Sequence, residues 1–302
     1  MKIIYTPEYF VDIQHTFYFQ KYRLLYKKLI NEKILKEKNF IKPKLPSQQD
    51  LLKVHTKEYL KKLEILAKSP LGMLNSENPI NQEILKFAKL TYYGTYLASK
   101  LALKEKISIN LSGGFHHAFP DHEEGFCYLH DIAFAIKKLQ DESLIKKAMV
   151  IDCDVHQGNG TAFIFQNNEN VFTFSIHQED NYPIKQKSSY DIGLYSYNNI
   201  TDKIYLEKLK ILPNLIKDFK PNLIIYEAGA DPYKEDKLGG FKLTKEGLKQ
   251  RDKYIINLAL KNKIPISIVF GGGYSKLEDV VDIHFNTIKV ALDCIKNKRK
   301  KC

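Results

Sequence analysis

No stretch of this sequence approaches the roughly 18 apolar residues that a membrane-spanning helix needs, so no membrane span is expected. The first residues, Met1 to Pro7, lack the apolar region and small-residue cleavage site of a signal peptide. A cytoplasmic location is therefore the simplest expectation, with a nuclear or secreted-effector location left open. Cysteine is scarce: Cys127, Cys153, Cys294 and Cys302 are irregularly spaced and form no C-x-x-C pair. That excludes a disulfide framework and points to free thiols, buried except for an exposed Cys302. Arginine is scarcer still, with Arg23, Arg251 and Arg299 among 47 basic residues. The net charge of +12 invites a nucleic-acid reading, but arginine is the residue that grips phosphate bidentately. Here lysines spread over every predicted helix, with one dense cluster at 296–301, so nucleic acid is not expected as a direct ligand. The sequence also lacks a Gly/Ser/Pro-rich linker and an internal repeat, so one domain spanning 1–302 is expected.

What is present is ample core material: 302 residues, 44% hydrophobic and 12% aromatic. Short apolar runs rich in β-branched residues recur at 2–5, 107–111, 148–152, 171–176, 223–228 and 266–270. Their continuous rather than alternating apolar character predicts parallel strands covered on both faces. Between them, 81–104, 201–219, 244–263 and 276–296 read as amphipathic helices. Thr244 marks a helix start, and Pro221 and Pro265 mark helix-to-strand turns. Strands alternating with helices predict an α/β fold with a parallel sheet. Residues 1–105 read as mostly helical with one early strand, packing on a sheet whose motifs fill 106–295.

In such sheets, ligands bind beyond the carboxyl ends of the strands. The residues just after the predicted strands include His116 and His117 on a glycine turn, Asp152-Cys-Asp154-Val-His156, Ser175-Ile-His177, Asp231, and Gly271-Gly-Gly-Tyr274. Every polar cluster follows a strand. Asp154 and His156 are two apart, so in extended chain both side chains can face one ion; Asp231 can supply a third ligand. One imidazole with two carboxylates suits zinc or ferrous iron, and three protein ligands leave positions open for water and substrate. A lone Asp-x-His is more often a helix cap or surface turn. The added Asp152 changes that balance, because so many carboxylates at a buried strand end need a cation. Gly158 and Gly160 let the chain pass close by.

These motifs resemble the zinc-dependent histone-deacetylase family within the arginase/deacetylase superfamily. The resemblance rests on six segments: 54–60, Ser112-Gly-Gly-Phe-His-His-Ala118, 125–133, 150–160, Tyr226-Glu-Ala-Gly-Ala-Asp-Pro232 and 271–274. Gln157-Gly-Asn159-Gly160 with Asp236-Lys-Leu-Gly-Gly240 resembles the class IV branch and its bacterial relatives. The resemblance implies one domain with a central parallel sheet of about eight strands and helices on both faces. It implies hydrolysis of an acyl-lysine amide, with zinc (ferrous iron as alternative) held by Asp154, His156 and Asp231. His117 would act as the base, His116 as its electrostatic partner and Tyr274 as the oxyanion donor. Asp152 would back His116, and Asn159 would back His117. Gly125, Phe126, Tyr182 and Gly272 would contact substrate, with Pro183 a further candidate for the wall. Asp152, Asp154, Ser175 and the carbonyls of His156 and Ile176 would bind structural potassium or sodium. In one respect the chain departs from class I: a neutral amide, Asn159, stands where those proteins carry a second carboxylate. That implies a lower pKa for His117 than a carboxylate-backed base shows.

The remaining histidines, His15, His55, His122, His130, His177 and His284, read as surface or satisfied buried groups. His15 and Phe17 are weaker candidates for the tunnel edge. The run Asp121-His-Glu-Glu124 is either pocket rim or solvated turn. Two other functions fit the same motifs: hydrolysis of a small amide such as an acetylpolyamine, and a non-catalytic binding module. The partner implied is an acyl-lysine protein or peptide; acyl length and oligomeric state are not readable.

Overall fold

The β-branched runs form the middle of one parallel sheet, as their two-faced apolar character predicts. The computed structural model describes residues 1–70, 72–74 and 78–299; Cys302 and the end of the basic tail lie outside the described residues. Eight strands are present: β1 (Lys2–Ile4), β2 (Phe40–Ile41), β3 (Ile107–Asn110), β4 (Ala148–Asp152), β5 (Val171–Gln178), β6 (Tyr190–Leu194), β7 (Leu223–Glu227) and β8 (Ile266–Val269). They lie side by side in the order β2-β1-β3-β8-β7-β4-β5-β6, every pair parallel. All residues of β3, β4, β7 and β8 are buried. The chain is a single α/β domain, as expected.

Ten helices accompany the sheet among the described residues: α1 (Gln20–Asn31), α2 (Gln48–Leu51), α3 (Lys57–Leu66), α4 (Gln82–Glu105), α5 (Asp131–Asp141), α6 (Asn159–Phe165), α7 (Asp202–Lys208), α8 (Leu212–Phe219), α9 (Lys245–Lys261) and α10 (Leu277–Arg299). Caps explain several boundaries. Asn81 Oδ1 accepts from Ile84 N at 2.8 Å to start α4, and Thr244 Oγ1 accepts from Gly247 N at 2.9 Å to start α9. Tyr92 of α4 stacks on Phe134 of α5 with centroids 4.1 Å apart, joining the two helices over β3. Cys127, Cys153 and Cys294 are free and buried.

Three expectations need correction. The N-terminal part holds two strands rather than one, since β2 pairs with β1. β6, an edge strand whose first residues are exposed, was not predicted. Residues 201–219 are not one helix: a 3-10 turn at Leu209–Ile211 separates α7 from α8, and Pro213 stands near the start of α8. Proline has no N–H to continue the preceding helix, so it restarts one instead.

Candidate active site

The chain passes from β3 across the sheet to β4, and β8 and β7 later fill the gap between them. This is a topological switch point, where loops leaving neighbouring strands diverge and open a crevice. The ends of β3, β8, β7 and β4 deliver the loops carrying His116–His117, Gly271–Tyr274, Asp231 and Asp154–His156. Among the described residues, Asp154, His156 and Asp231 form the one group able to ligate a metal through three side chains, their ligating atoms within 4.8 Å of one another. All three are buried. His156 Nδ1 lies 3.0 Å from Asp154 Oδ1 and 3.3 Å from Asp231 Oδ2.

The donor set fits a divalent cation on two grounds. Asp231 Oδ2 is buried and accepts no hydrogen bond among the described residues, with His156 Nδ1 at 3.3 Å beside it, an arrangement that an ion shared by the two residues would satisfy. The electrostatics agree: burial and the neighbouring Asp154 push the Asp231 carboxyl up to about 8. Burial opposes charge on His156, yet Asp154 and Asp231 carry it up to about 10. Carboxylates crowded and buried in this way favour a cation among them. Backbone fixes the remaining oxygens: Gly272 N–H donates to Asp154 Oδ2 at 3.0 Å and Val155 N–H to Asp231 Oδ1 at 2.9 Å.

The two histidines sit on a turn held from below. Asp131 accepts from Gly114 N at 3.0 Å, Phe115 N at 2.8 Å and Thr95 Oγ1 at 2.5 Å. Gly113 and Gly114 have φ of 91° and 81°, a conformation that requires glycine. His116 Nδ1 lies 2.7 Å from Asp152 Oδ2, and His117 Nδ1 lies 2.7 Å from Asn159 Oδ1. The two environments push the rings apart. Burial opposes charge on His116, but Asp152 carries its pKa up to about 9. Burial and the neighbouring His116 hold His117 well below its usual value. Two neighbouring rings pushed in opposite directions by their surroundings are the kind of pair that can divide acid and base roles.

Above the metal cluster opens a pocket of about 460 Å³, lined among others by His117, Gly125, Phe126, His156, Tyr182 and Tyr274. A larger groove of about 730 Å³ runs along α9 and α10; lysines and amides line it with Asp293 and Cys294, and no group able to ligate a metal lies there among the described residues; chemistry, not size, selects the smaller one. Gly125 and Phe126 are the central residues of a turn with φ of 50° and 66°, closed by Cys127 N–H donating to Glu124 O at 2.8 Å. Positive φ at both positions is the type I′ pattern. A Cβ on Gly125 would overlap the His117 ring. Burial raises the Tyr274 hydroxyl well above 10, so it stays a donor. Asp236 Oδ2 holds its backbone N–H at 2.7 Å.

Gly272, expected at the substrate, donates its N–H to Asp154 Oδ2 and is not among the residues lining the pocket. Pro183 follows the lining residue Tyr182 but does not itself line the pocket. For the expected monovalent site, Asp152 and Ser175 are paired across β4 and β5, while Ser175 Oγ lies 2.9 Å from His177 Nδ1. His15 lies edge-on to Phe126 at 5.2 Å, and Phe17 lies 6.5 Å from it. His284 is not satisfied: it is buried and neither nitrogen has a partner among the described residues. Sequence reasoning missed Asn78, Asn181 and Leu238 in the pocket wall and Lys21, a buried lysine whose Nζ donates to Gly271 O. Of these, only Leu238 carried a signal, in the Asp236-Lys-Leu-Gly-Gly240 segment.

Comparison with known proteins agrees with this geometry. Residues 15–288 match the family described as Histone deacetylase domain. The chain is 35% identical to an uncharacterized protein of Picosynechococcus sp. over 296 residues, covering 96% of this chain and 98% of that one. It is 30% identical to histone deacetylase 2 of Arabidopsis thaliana, covering 91% of this chain and 75% of the relative. With histone deacetylase 8 of Xenopus tropicalis it shares 31% identity over 80% of this chain and 70% of the relative. The crystal structure of the HDA15 HD domain superposes with a TM-score of 0.84 at 23% identity, covering 97% of this chain and 91% of that one; this establishes the shared fold.

Proposed function

This chain belongs to the histone deacetylase domain family, and from that premise we propose that it is a zinc-dependent lysine deacylase cleaving the amide of N-ε-acyl-lysine. The carrying observation is the convergence of Asp154, His156 and Asp231 with two differently tuned histidines and a buried tyrosine at one pocket. Asp154, His156 and Asp231 would hold zinc, with ferrous iron as the alternative; such an ion supplies Lewis acidity toward a carbonyl and lowers the pKa of water. His117, kept neutral, takes a proton from the attacking water and passes it to the departing lysine amine. His116, paired with Asp152, would stabilise the negative charge that builds up beside it. Tyr274 donates to the carbonyl oxygen as it becomes an oxyanion. Gly125, Phe126 and Tyr182 enclose the acyl-lysine stem, while Gly272 acts on substrate only through Asp154. Asp152, Asp154, Ser175 and the carbonyls of His156 and Ile176 form the proposed potassium or sodium site. Gln157 and Asn159 support placement near the class IV branch.

The test is a panel of acetyl-, short-acyl- and fatty-acyl-lysine peptides with acetylpolyamines, assayed after reconstitution with zinc or iron. Turnover of a lysine peptide, abolished by chelation, is expected. Turnover confined to acetylpolyamines or another small amide overturns the substrate, and none with any amide makes the chain a binding module.

A further inference from the structure

The pocket wall carries one carboxylate, Glu124, that this reaction does not use. Its backbone opens the tight turn closed by Cys127, so its position beside the pocket is set by the fold. Its Oε1 accepts two hydrogen bonds from different parts of the chain: Tyr182 Oη donates at 2.8 Å and Asn159 Nδ2 at 3.1 Å. Its other oxygen, Oε2, faces His122, whose Nε2 lies 3.9 Å away.

These contacts decide which way the Asn159 amide points. Gly160 N–H can only donate, so the Asn159 atom 3.0 Å from it is the oxygen. A carboxylate can only accept, so the atom facing Glu124 is the nitrogen. His117 Nδ1 lies 2.7 Å from that same oxygen and must therefore carry the hydrogen. Its Nε2 is left with the lone pair, the form a base needs. Gly160 holds one side of the amide, and Glu124 holds the other. The same carboxylate also ties Tyr182, on the segment between β5 and β6, to the opposite wall. Tyr182 lies 5.2 Å from the His117 ring, so losing that tie would loosen the pocket exactly where the stem must pass.

We propose that Glu124 is a positioning residue with two arms: through Asn159 it holds His117 in the Nδ1–H tautomer, and through Tyr182 it fixes the width of the pocket. Its kinetic consequences rest on the deacylase reading; its tautomer consequence does not.

The experiment uses the full-length, zinc-loaded protein. Long-range proton–nitrogen NMR of ¹⁵N-histidine-labelled protein should show His117 protonated on Nδ1. Glu124→Ala should give a substantial Nε2–H population, and Glu124→Gln, whose amide oxygen still accepts from both partners, should restore the wild-type signal. With a turned-over substrate, Glu124→Ala should lower kcat about tenfold, the scale of one hydrogen bond to a charged acceptor. That loss should vanish when the substitution is made on an Asn159→Ala background, and its effect on KM should vanish on Tyr182→Phe. An unchanged tautomer in folded Glu124→Ala, or a kcat loss that simply multiplies with that of Asn159→Ala, overturns the proposal. If no amide is turned over by the wild type, the functional reading fails, and the tautomer measurement still decides this inference.

Discussion

Burial sets the protonation of the Tyr274 hydroxyl, and with it the role proposed for that group. Its hydroxyl is pushed well above 10 by desolvation, with Asp154 and Asp231 acting in the same direction. That direction favours the proton-bearing form, the form able to donate a hydrogen bond. Its ring is fixed separately, at 5.9 Å from Phe126 and 6.3 Å from His156, and its N–H is fixed by Asp236. Removing the hydroxyl alone leaves those contacts in place. On the proposed role as oxyanion donor, Tyr274→Phe should thus lower kcat by about 10²–10³ with KM changed by no more than about threefold, because such a donor acts in the transition state. Steady-state kinetics on the best substrate of the panel checks this. A loss expressed mainly in KM would instead make Tyr274 a binding contact.

At the scale of elements, the loop after β8 shows how backbone builds the metal cluster. A Cβ on Gly272 would overlap Asp231 Oδ2 and Asp154 Oδ2 together, and the Gly272 N–H already holds Asp154. Gly272→Ala should weaken binding of zinc, the proposed ion, by about 10–100-fold, the range typical for disturbing groups that orient metal ligands. Chelator competition measures it, with far-UV circular dichroism confirming the fold; unchanged affinity would mean that the loop moves aside freely. The candidate ligands at these loops were legible in the sequence because each follows a strand end, and a spacing of two lets Asp154 and His156 face one ion. The central strands were legible for a similar reason, since burial on both faces leaves an apolar run. β2, with two residues, and β6, exposed along most of its length, leave no such pattern. Asn181 and Leu238 meet through Asn181 Nδ2 donating to Leu238 O at 2.8 Å across 57 residues. No spacing rule reaches that far, and Glu124 joins Asn159 and Tyr182 in the same non-local way.

For the whole molecule, stability against pH is a sum over buried groups of opposite sign. Burial lowers His55 to about 4 and holds His130 and His284 well below the usual histidine value. An unfolded chain binds protons on these rings below about pH 6.5, while the folded one refuses them. Their contribution is therefore complete above that pH and is lost as pH falls toward the folded values. Asp131 and Glu227 act the other way: burial raises both, so the folded state takes protons first and their contribution grows as pH falls. Since several groups set the net slope, a difference between two proteins isolates one of them. His284 is the cleanest probe, because its ring stacks on Phe270 at 4.4 Å and neither nitrogen has a partner among the described residues. His284→Phe keeps the ring contact, sacrifices no hydrogen bond and removes one proton taken up on unfolding. Its stability relative to wild type should rise as pH falls below about 6.5, by up to about 1.4 kcal/mol per pH unit. Any cost of the slightly larger ring is a constant offset at all pH values. Urea unfolding of both proteins between about pH 5 and 8 measures the difference. Curves that stay parallel through that window would mean that His284 is protonated in the folded state after all.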